Sequence, residues 1–327
     1  MSYLILSHTH HLLPVAQRLR REGATVEWAP WRSRYSRAWQ GTLDTALGPD
    51  ARRTEETLQP LIDMAAAGEL TVLHDGPRWS ELFRGATDQW GTREPVGDLS
   101  PLRACGWWDG NDLHAPHLLV ADLGAWPGGL GPRVEGGATL VRGWETLVRA
   151  AWEPYLDGLR ASGHRGLVQA HLGQGATVLW WAGGWEPLHL HAFLAALGDE
   201  HLGKALQGEV PVLPWAYSVA VPVTTGPWPI ACDQHSPEVP LDVPRELAAQ
   251  ASWHDFRVVE GKPMVAGLDG FVAVTKGTAA TLGLARHKAL AAAMAISTKV
   301  PAPQLRPDTG ASVEGALASL ERFGWVP

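Results

Sequence analysis

The segment from Asp122 to Gly131, DLGAWPGGLG, follows directly on the apolar run Leu118-Leu119-Val120-Ala121. It constrains the fold more than any other stretch, because spaced glycines and the Gly128-Gly129 pair reach backbone conformations closed to other residues. An apolar strand feeding such a loop gives it a rigid base, and the glycines let a ligand or a second backbone come close. Asp122, Gly124, Gly128, Gly129 and Gly131 are therefore candidate substrate-binding residues, with an ordinary surface turn as the alternative.

Upstream of the loop the pattern is α/β. Tyr3 to Leu6 reads as a short buried strand, Ser7 to His11 as a turn, and Leu12 to Glu22 places Leu12, Val15, Ala16 and Leu19 at helical spacing. Thr9 is a candidate N-cap, Pro14 suits the first turn and Gly23 closes the helix. Thr25 to Trp28, Arg53 to Ala67 and Leu70 to Leu73 continue as strand, helix and strand. This alternation predicts a parallel, Rossmann-like sheet. The first turn lacks the GxGxxG glycines that admit a dinucleotide pyrophosphate, so NAD or FAD is not expected.

Around and beyond the loop the chain turns strand-rich. Leu102 to Trp108 and His114 to Ala121 flank Asp109-Gly110-Asn111, a hairpin signal. Gly143 to Ala161 carries Trp144, Leu147, Val148, Ala151, Tyr155 and Leu159 on one face of a helix that Pro154 should kink. Gly166 to Leu172 and Ala176 to Trp181 form a second hairpin around Gly173-Gln174-Gly175, and two sheets with the helix between them are expected. A Pro-rich bend from Val221 to Pro229 leads to strands near Phe256 to Val259, Pro263 to Ala266 and Phe271 to Val274. An alanine-rich helix from Thr278 to about Ser297 and a last helix from Ala311 to Phe323 close the chain.

Composition narrows the function classes. A net charge of −7 argues against nucleic acid as a general partner, and no stretch reaches the roughly 18 apolar residues that a membrane helix needs. The two cysteines, Cys105 and Cys232, lie far apart without CxxC spacing, which fits a reduced, cytoplasmic setting. The 17 tryptophans, several paired as in Trp107-Trp108 and Trp180-Trp181, suit half-buried seams, with a stacking platform for a base or sugar as the alternative. His8, His10 and His11 lie in the first turn, and His189 and His191 would point apart on a helix. With no H-x-x-x-H spacing and no cysteine nearby in sequence, no metal site is expected. Nucleophile motifs such as G-x-S-x-G are also missing.

The glycine loop resembles the DLGPNTGGMG-type segment of the glycinamide ribonucleotide synthetases (phosphoribosylamine-glycine ligases), an ATP-grasp family. Asp122, Leu123, Gly124, Gly128, Gly129 and Gly131 stand in matching order, while Ala125, Trp126, Pro127 and Leu130 depart. Glu94-Pro-Val-Gly97-Asp98, the Trp107-Trp108-Asp109-Gly110 turn, Val272 to Thr275, Leu284-Ala-Arg286 and Arg306-Pro-Asp308-Thr-Gly310 resemble further family segments in the same order. The resemblance implies a Rossmann-like domain over residues 1–90, a partial ATP-grasp-like α+β domain over 91–221 and a small C-terminal α+β subdomain over 222–327. It also implies ATP and magnesium as cofactors if the chain is active.

Two departures bear on that activity. The family holds ATP with lysines and a glycine-rich flap ahead of the loop, yet the five lysines here are Lys204, Lys262, Lys276, Lys288 and Lys299. Arginine supplies the other basic residues, and its planar fork does not replace an ammonium on a phosphate. The family's magnesium-binding strand resembles Val178 to Gly184, where Trp180, Ala182 and Gly184 stand at the glutamate, asparagine and arginine positions. Indole and methyl groups offer magnesium no oxygen, and Glu186 is the nearest carboxylate. Two readings remain open: a module that lost the ligase reaction and binds a small metabolite or a protein partner, and an active ATP-dependent carboxylate-amine ligase. A sugar or nucleotide transferase built on the first segment is a third.

Overall fold

The computed structural model describes residues 1–7, 11–30, 59–74, 89–90, 100–183, 186–198, 201–226, 228–229, 240–254, 256–265 and 270–327. The first unit is a four-stranded parallel sheet built from β1 (Ser2–Ser7), β2 (Thr25–Pro30), β3 (Thr71–His74) and β4 (Gln89–Trp90), in the order β2-β1-β3-β4. Helices α1 (Leu13–Arg21) and α2 (Gln59–Ala66) belong to it. Pro14 sits in the first turn of α1, where its missing N–H costs nothing, and Gly23 follows the helix with φ +86°. The parallel sheet matches the expectation; the helix starts at Leu13 with Leu12 at its N-cap position and not Thr9, and Thr9, the turn histidines His8 and His10, and Arg53 to Leu58 lie outside the described residues.

The second unit is one continuous nine-stranded sheet, ordered β11-β14-β10-β7-β6-β5-β8-β9 with β15 beside β10, and every pairing in it is antiparallel. Its strands are β5 (Leu102–Trp108), β6 (Leu113–Leu123), β7 (Glu135–Val141), β8 (Gly166–Leu172), β9 (Val178–Gly183), β10 (Tyr217–Thr225), β11 (Ala251–Trp253), β14 (Phe271–Ala279) and β15 (Pro303–Gln304). A separate hairpin pairs β12 (Phe256–Val259) with β13 (Lys262–Val265).

Both expected hairpins form, but they share one sheet because β5 pairs with β8 from Arg103↔His171 to Trp108↔Gly166. The helix between them covers one face of that sheet and does not separate two. It runs as α3 (Glu145–Trp152) and α4 (Leu156–Ser162), broken by a single 3₁₀ turn at Glu153–Tyr155 where Pro154 removes a helical N–H. Buried Trp152 locks α3 to the sheet, its indole N–H donating to the Ala104 carbonyl at 3.1 Å.

The expected bend at Val221 is a strand. β10 continues through Pro222, opposite Val274, and β7 stops pairing with it at Ala220, so a proline without an N–H is tolerated there. β14 also extends past Val274 to Ala279, because Thr278 and Ala279 pair with Ser218 and Tyr217. The alanine-rich helix α8 therefore begins at Leu282 and runs to Ser297. Chain order is completed by α5 (Pro187–Ala196), α6 (Leu202–Leu206), α7 (Arg245–Ala248) and α9 (Val313–Arg322).

Helix α5 positions the site. Leu188 to Leu194 and Ala196 are all buried, the pattern of a helix enclosed on every side. Its apolar residues Leu188, Leu190 and Phe193 belong to one core with Tyr3, Ile5, Val15 and Leu19 of the parallel sheet unit, and with Trp107, Leu119, Leu140 and Leu167 of the large sheet. The opposite face of the large sheet, carrying Ala104, Trp108, Val120 and Val168, packs on α3, α4 and α9. Polar side chains that share the first face with α5 are thus sealed between the two units.

Candidate functional site

The glycine loop leaves the end of β6 and is closed on itself. Gly124 N–H donates to the Val134 carbonyl at 2.8 Å, Ala125 N–H to Pro132 at 3.0 Å and Trp126 N–H to Leu130 at 3.0 Å. Its base is fastened to the Arg306-Pro-Asp308-Thr-Gly310 turn. Arg306 Nη1 donates to the Leu123 and Gly124 carbonyls, both at 2.9 Å, while Nε and Nη2 grip Asp308 at 3.1 and 2.8 Å. Asp308 in turn accepts the Gly128 N–H at 2.8 Å, and the Arg306 fork holds its carboxyl below the usual carboxylate range. The two segments that resemble the ligase family meet in space.

The candidate residues of the loop divide into two sets. Asp122 is 5% exposed, and its oxygens accept the Gly310 N–H at 2.7 Å and the Ser312 hydroxyl at 3.0 Å. Burial pushes its carboxyl up, and the side chain serves as a clamp on the C-terminal turn. Gly124, buried, and Gly131, exposed, have no room for a side chain: a Cβ on Gly124 would lie 2.7 Å from the Gly129 carbonyl, and one on Gly131 2.7 Å from the Trp126 ring. Gly128 and Gly129 are exposed at φ +71° and +73°, with open space where a Gly128 Cβ would stand. This pair thus presents backbone at the surface of the loop, with the Gly128 N–H already given to Asp308.

Beside the loop a polar seam runs under α5, and sequence reasoning missed most of it. Arg103 on β5 is fully buried, donating from Nε to the Ser100 carbonyl at 3.2 Å and from Nη1 to Gln169 Oε1 at 3.0 Å, and it forms an ion pair with Glu135 at the start of β7. His171, opposite Arg103 on β8, accepts the Ser100 N–H on Nδ1 at 3.2 Å. Glu186, at the N-cap position of α5, has its carboxyl pushed up to about 7 by burial and by the Glu135 carboxylate, against the pull of Arg103. Glu186 thus titrates close to neutral pH beside the Arg103–Glu135 ion pair, a position suited to accepting and giving a proton. The signal in the sequence is the alternation Arg103-x-Cys105 and Gln169-x-His171 in otherwise apolar strands. Of the residues expected to replace the magnesium ligands, positions 180–182 are described in backbone only, and Gly184 lies outside the described residues, as do Glu94 to Asp98 and Cys232.

The histidines of α5 do point apart. His189 Nε2 meets His117 Nε2 of β6 at 2.9 Å, and His191 Nε2 meets His254 Nε2 at 2.8 Å. Cys105 lies next to the first pair, because it stands directly opposite His117 across β5 and β6. The Cys105, His117 and His189 donor atoms fall within 4.8 Å of one another, and all three residues are buried. The missing cysteine thus comes from a strand that sequence spacing does not connect to α5.

Buried histidines make the fold acid-sensitive. Burial pushes His117 down to about 4, burial and Arg103 push His171 down to about 3, and His189 and His191 are also held well below the ordinary imidazole value. The unfolded chain therefore binds protons below about pH 6.5 that the folded chain refuses until about pH 4 to 3, so stability is full above pH 6.5 and falls through that window. Glu186, gaining stability as pH falls from about 7, and Asp122, also raised by burial, work the other way, but they are two groups against four. The urea midpoint is expected to drop between pH 6.5 and 4.5; a constant or rising midpoint would show that these imidazoles are not buried in neutral form.

No protein-family profile and no curated protein matches the sequence. Solved structures do match. Phosphoribosylamine–glycine ligase from Thermotoga maritima superposes with a TM-score of 0.63 at 13% identity, covering 95% of this chain and 100% of the ligase. The phosphoribosylaminoimidazole carboxylase ATPase subunit from Aquifex aeolicus gives 0.56 at 8% identity, covering 91% and 100%. N5-carboxyaminoimidazole synthase from Aspergillus clavatus, solved with ADP and 5-aminoimidazole ribonucleotide, gives 0.51 at 10% identity, covering 91% and 98%. The parallel sheet and the large antiparallel sheet thus share, at low sequence identity, the fold of phosphoribosylamine–glycine ligase from Thermotoga maritima.

Proposed function

We propose that this chain has lost the ancestral ligase reaction and uses the outer face of its glycine loop to bind a small phosphorylated sugar metabolite. The observation that carries the reading is the Arg103–Glu135 pair. Acyl-phosphate chemistry needs cationic groups and a metal free to neutralise a transferring phosphoryl group. On the sheet face under α5 the buried cation is already neutralised by a carboxylate and tied to Gln169 and Ser100. The lysine-free stretch before Lys204, and Trp180 and Ala182 at the metal-binding positions, support the same reading. The exposed backbone of Gly129, at positive φ beside the Gly128 N–H that Asp308 already accepts, supports a hydroxyl-rich ligand.

The second reading is an active ATP-dependent carboxylate-amine ligase. It is favoured by the fold shared with the synthase solved with ADP, and by the Glu135 and Glu186 carboxyls near the loop. Calorimetry and thermal shift separate the two. Ribose 5-phosphate is expected to bind and raise Tm while Mg-ATP leaves it unchanged; micromolar Mg-ATP binding would favour the ligase.

Gly128→Val tests the loop directly. Its φ of +71° carries a strain of about 1–2 kcal/mol for a side chain, while the open space around it adds no clash. Ribose 5-phosphate binding should disappear with only that modest loss of stability. Retained binding would move the ligand elsewhere.

A further inference from the structure

We propose that Cys105, His117 and His189 form a buried site for one zinc ion, which fastens α5 to the large sheet. The three side chains come from β5, from the neighbouring strand β6 and from the helix above them, so the ion would reinforce a junction of α5 and the sheet that otherwise rests on apolar packing and the single His117–His189 hydrogen bond at this point. One thiolate and two imidazoles suit zinc, with a fourth position left for water or another small ligand.

The hydrogen bonds already present prepare the ligands. His117 Nδ1 lies 2.7 Å from the Ala115 carbonyl, which can only accept, so the proton sits on Nδ1 and Nε2 offers a lone pair. A backbone carbonyl on the far ring nitrogen is the usual support that orients a metal-bound histidine. His189 Nε2 must then donate to His117, which leaves His189 Nδ1 as a buried lone pair with no hydrogen-bond partner among the described residues. When an ion replaces the shared proton, the imidazole proton of His189 moves to Nδ1, the Cys105 thiol proton leaves to solvent, and both rings stay neutral. One proton is released per ion bound.

The geometry needs small adjustments. Tetrahedral zinc at about 2.0–2.1 Å from each nitrogen sets them about 3.3 Å apart, against 2.9 Å for the present Nε2 to Nε2 contact. The sulfur must close in by about 1 Å from the outer limit of the cluster to reach a Zn–S distance near 2.3 Å, within the reach of a χ1 change.

Metal content decides the matter. Full-length protein purified without chelator should carry about one zinc per chain, removal by chelator should lower Tm, and readdition should restore it. Cobalt added to the stripped protein should give a near-ultraviolet thiolate-to-cobalt charge-transfer band. Cys105→Ser should abolish that band, and His189→Asn should weaken cobalt retention at least tenfold. Wild-type protein that contains no zinc and develops no charge-transfer band with cobalt would overturn the proposal, whatever the variants do. So would a band of undiminished intensity in Cys105→Ser.

Discussion

Arg103→Met is expected to destabilise the protein by about 3–5 kcal/mol, read from urea midpoints at pH 7. The methionine fills much of the space but leaves the Glu135 carboxylate without its counter-charge and strips donors from Gln169 and the Ser100 carbonyl. Most of the loss comes from the orphaned carboxylate, because breaking a buried pair costs far more than deleting both members. Combining Arg103→Met with Glu135→Gln should therefore recover a substantial part of the stability. A double variant no better than Arg103→Met alone would mean that Glu135 reaches water and that the pair is not the internal clamp described above. The same cycle bears on function: a guanidinium committed to Glu135 is not free for a triphosphate, so none of these variants should change the response to Mg-ATP.

The sequence revealed elements better than it revealed their neighbours. Local chemistry marks Asp109-Gly110-Asn111 as a hairpin turn, Pro154 as a kink and the first strands as parallel, and each of these forms. Pairing of β5 with β8 is decided by which faces can be buried together after a helical excursion, and no short window contains that information. Pro222 misled for a related reason: a proline ends a central strand, but β10 has already lost β7 at Ala220, and that edge is a property of the assembled sheet.

The candidate site follows the same division. Asp122 and the glycines were legible because a glycine-rich loop after an apolar run is a local signal, and the order of Arg306, Asp308 and Gly310 follows the family resemblance. Their contact, and the use of Asp122 as a clamp, were not legible. Arg103, Cys105, His117, Gln169 and His171 announce themselves only as polar residues at alternating strand positions. Their meaning depends on register, which sets Arg103 against His171 and Cys105 against His117. His189 joins them because α5 is enclosed on all sides, where a histidine's partner cannot be inferred from the helix's own periodicity.

Gly136→Val separates the inner and outer parts of the loop. Gly136 lies on β7 beneath the loop, where a Cβ would collide with the Gly124 carbonyl oxygen and come within 2.5 Å of Arg306 Cδ. Neither neighbour can yield cheaply: the carbonyl is backbone, and Arg306 is held by Leu123, Gly124 and Asp308. Valine should therefore cost about 3 kcal/mol, near the upper end for an overpacked position, and should lift the loop away from the C-terminal turn. Loss of the Arg306 bonds would also free the Asp308 carboxylate that receives the Gly128 N–H, so ribose 5-phosphate binding should fall with stability. Gly128→Val should abolish binding at a smaller stability cost of about 1–2 kcal/mol, since its neighbourhood is open and only backbone strain arises. Hydrogen exchange provides the check: in Gly136→Val the amides of Gly124 and Gly310 should lose protection together, whereas in Gly128→Val both should keep it. Equal protection in the two variants would mean that the loop is not held from beneath by Arg306 and Asp122.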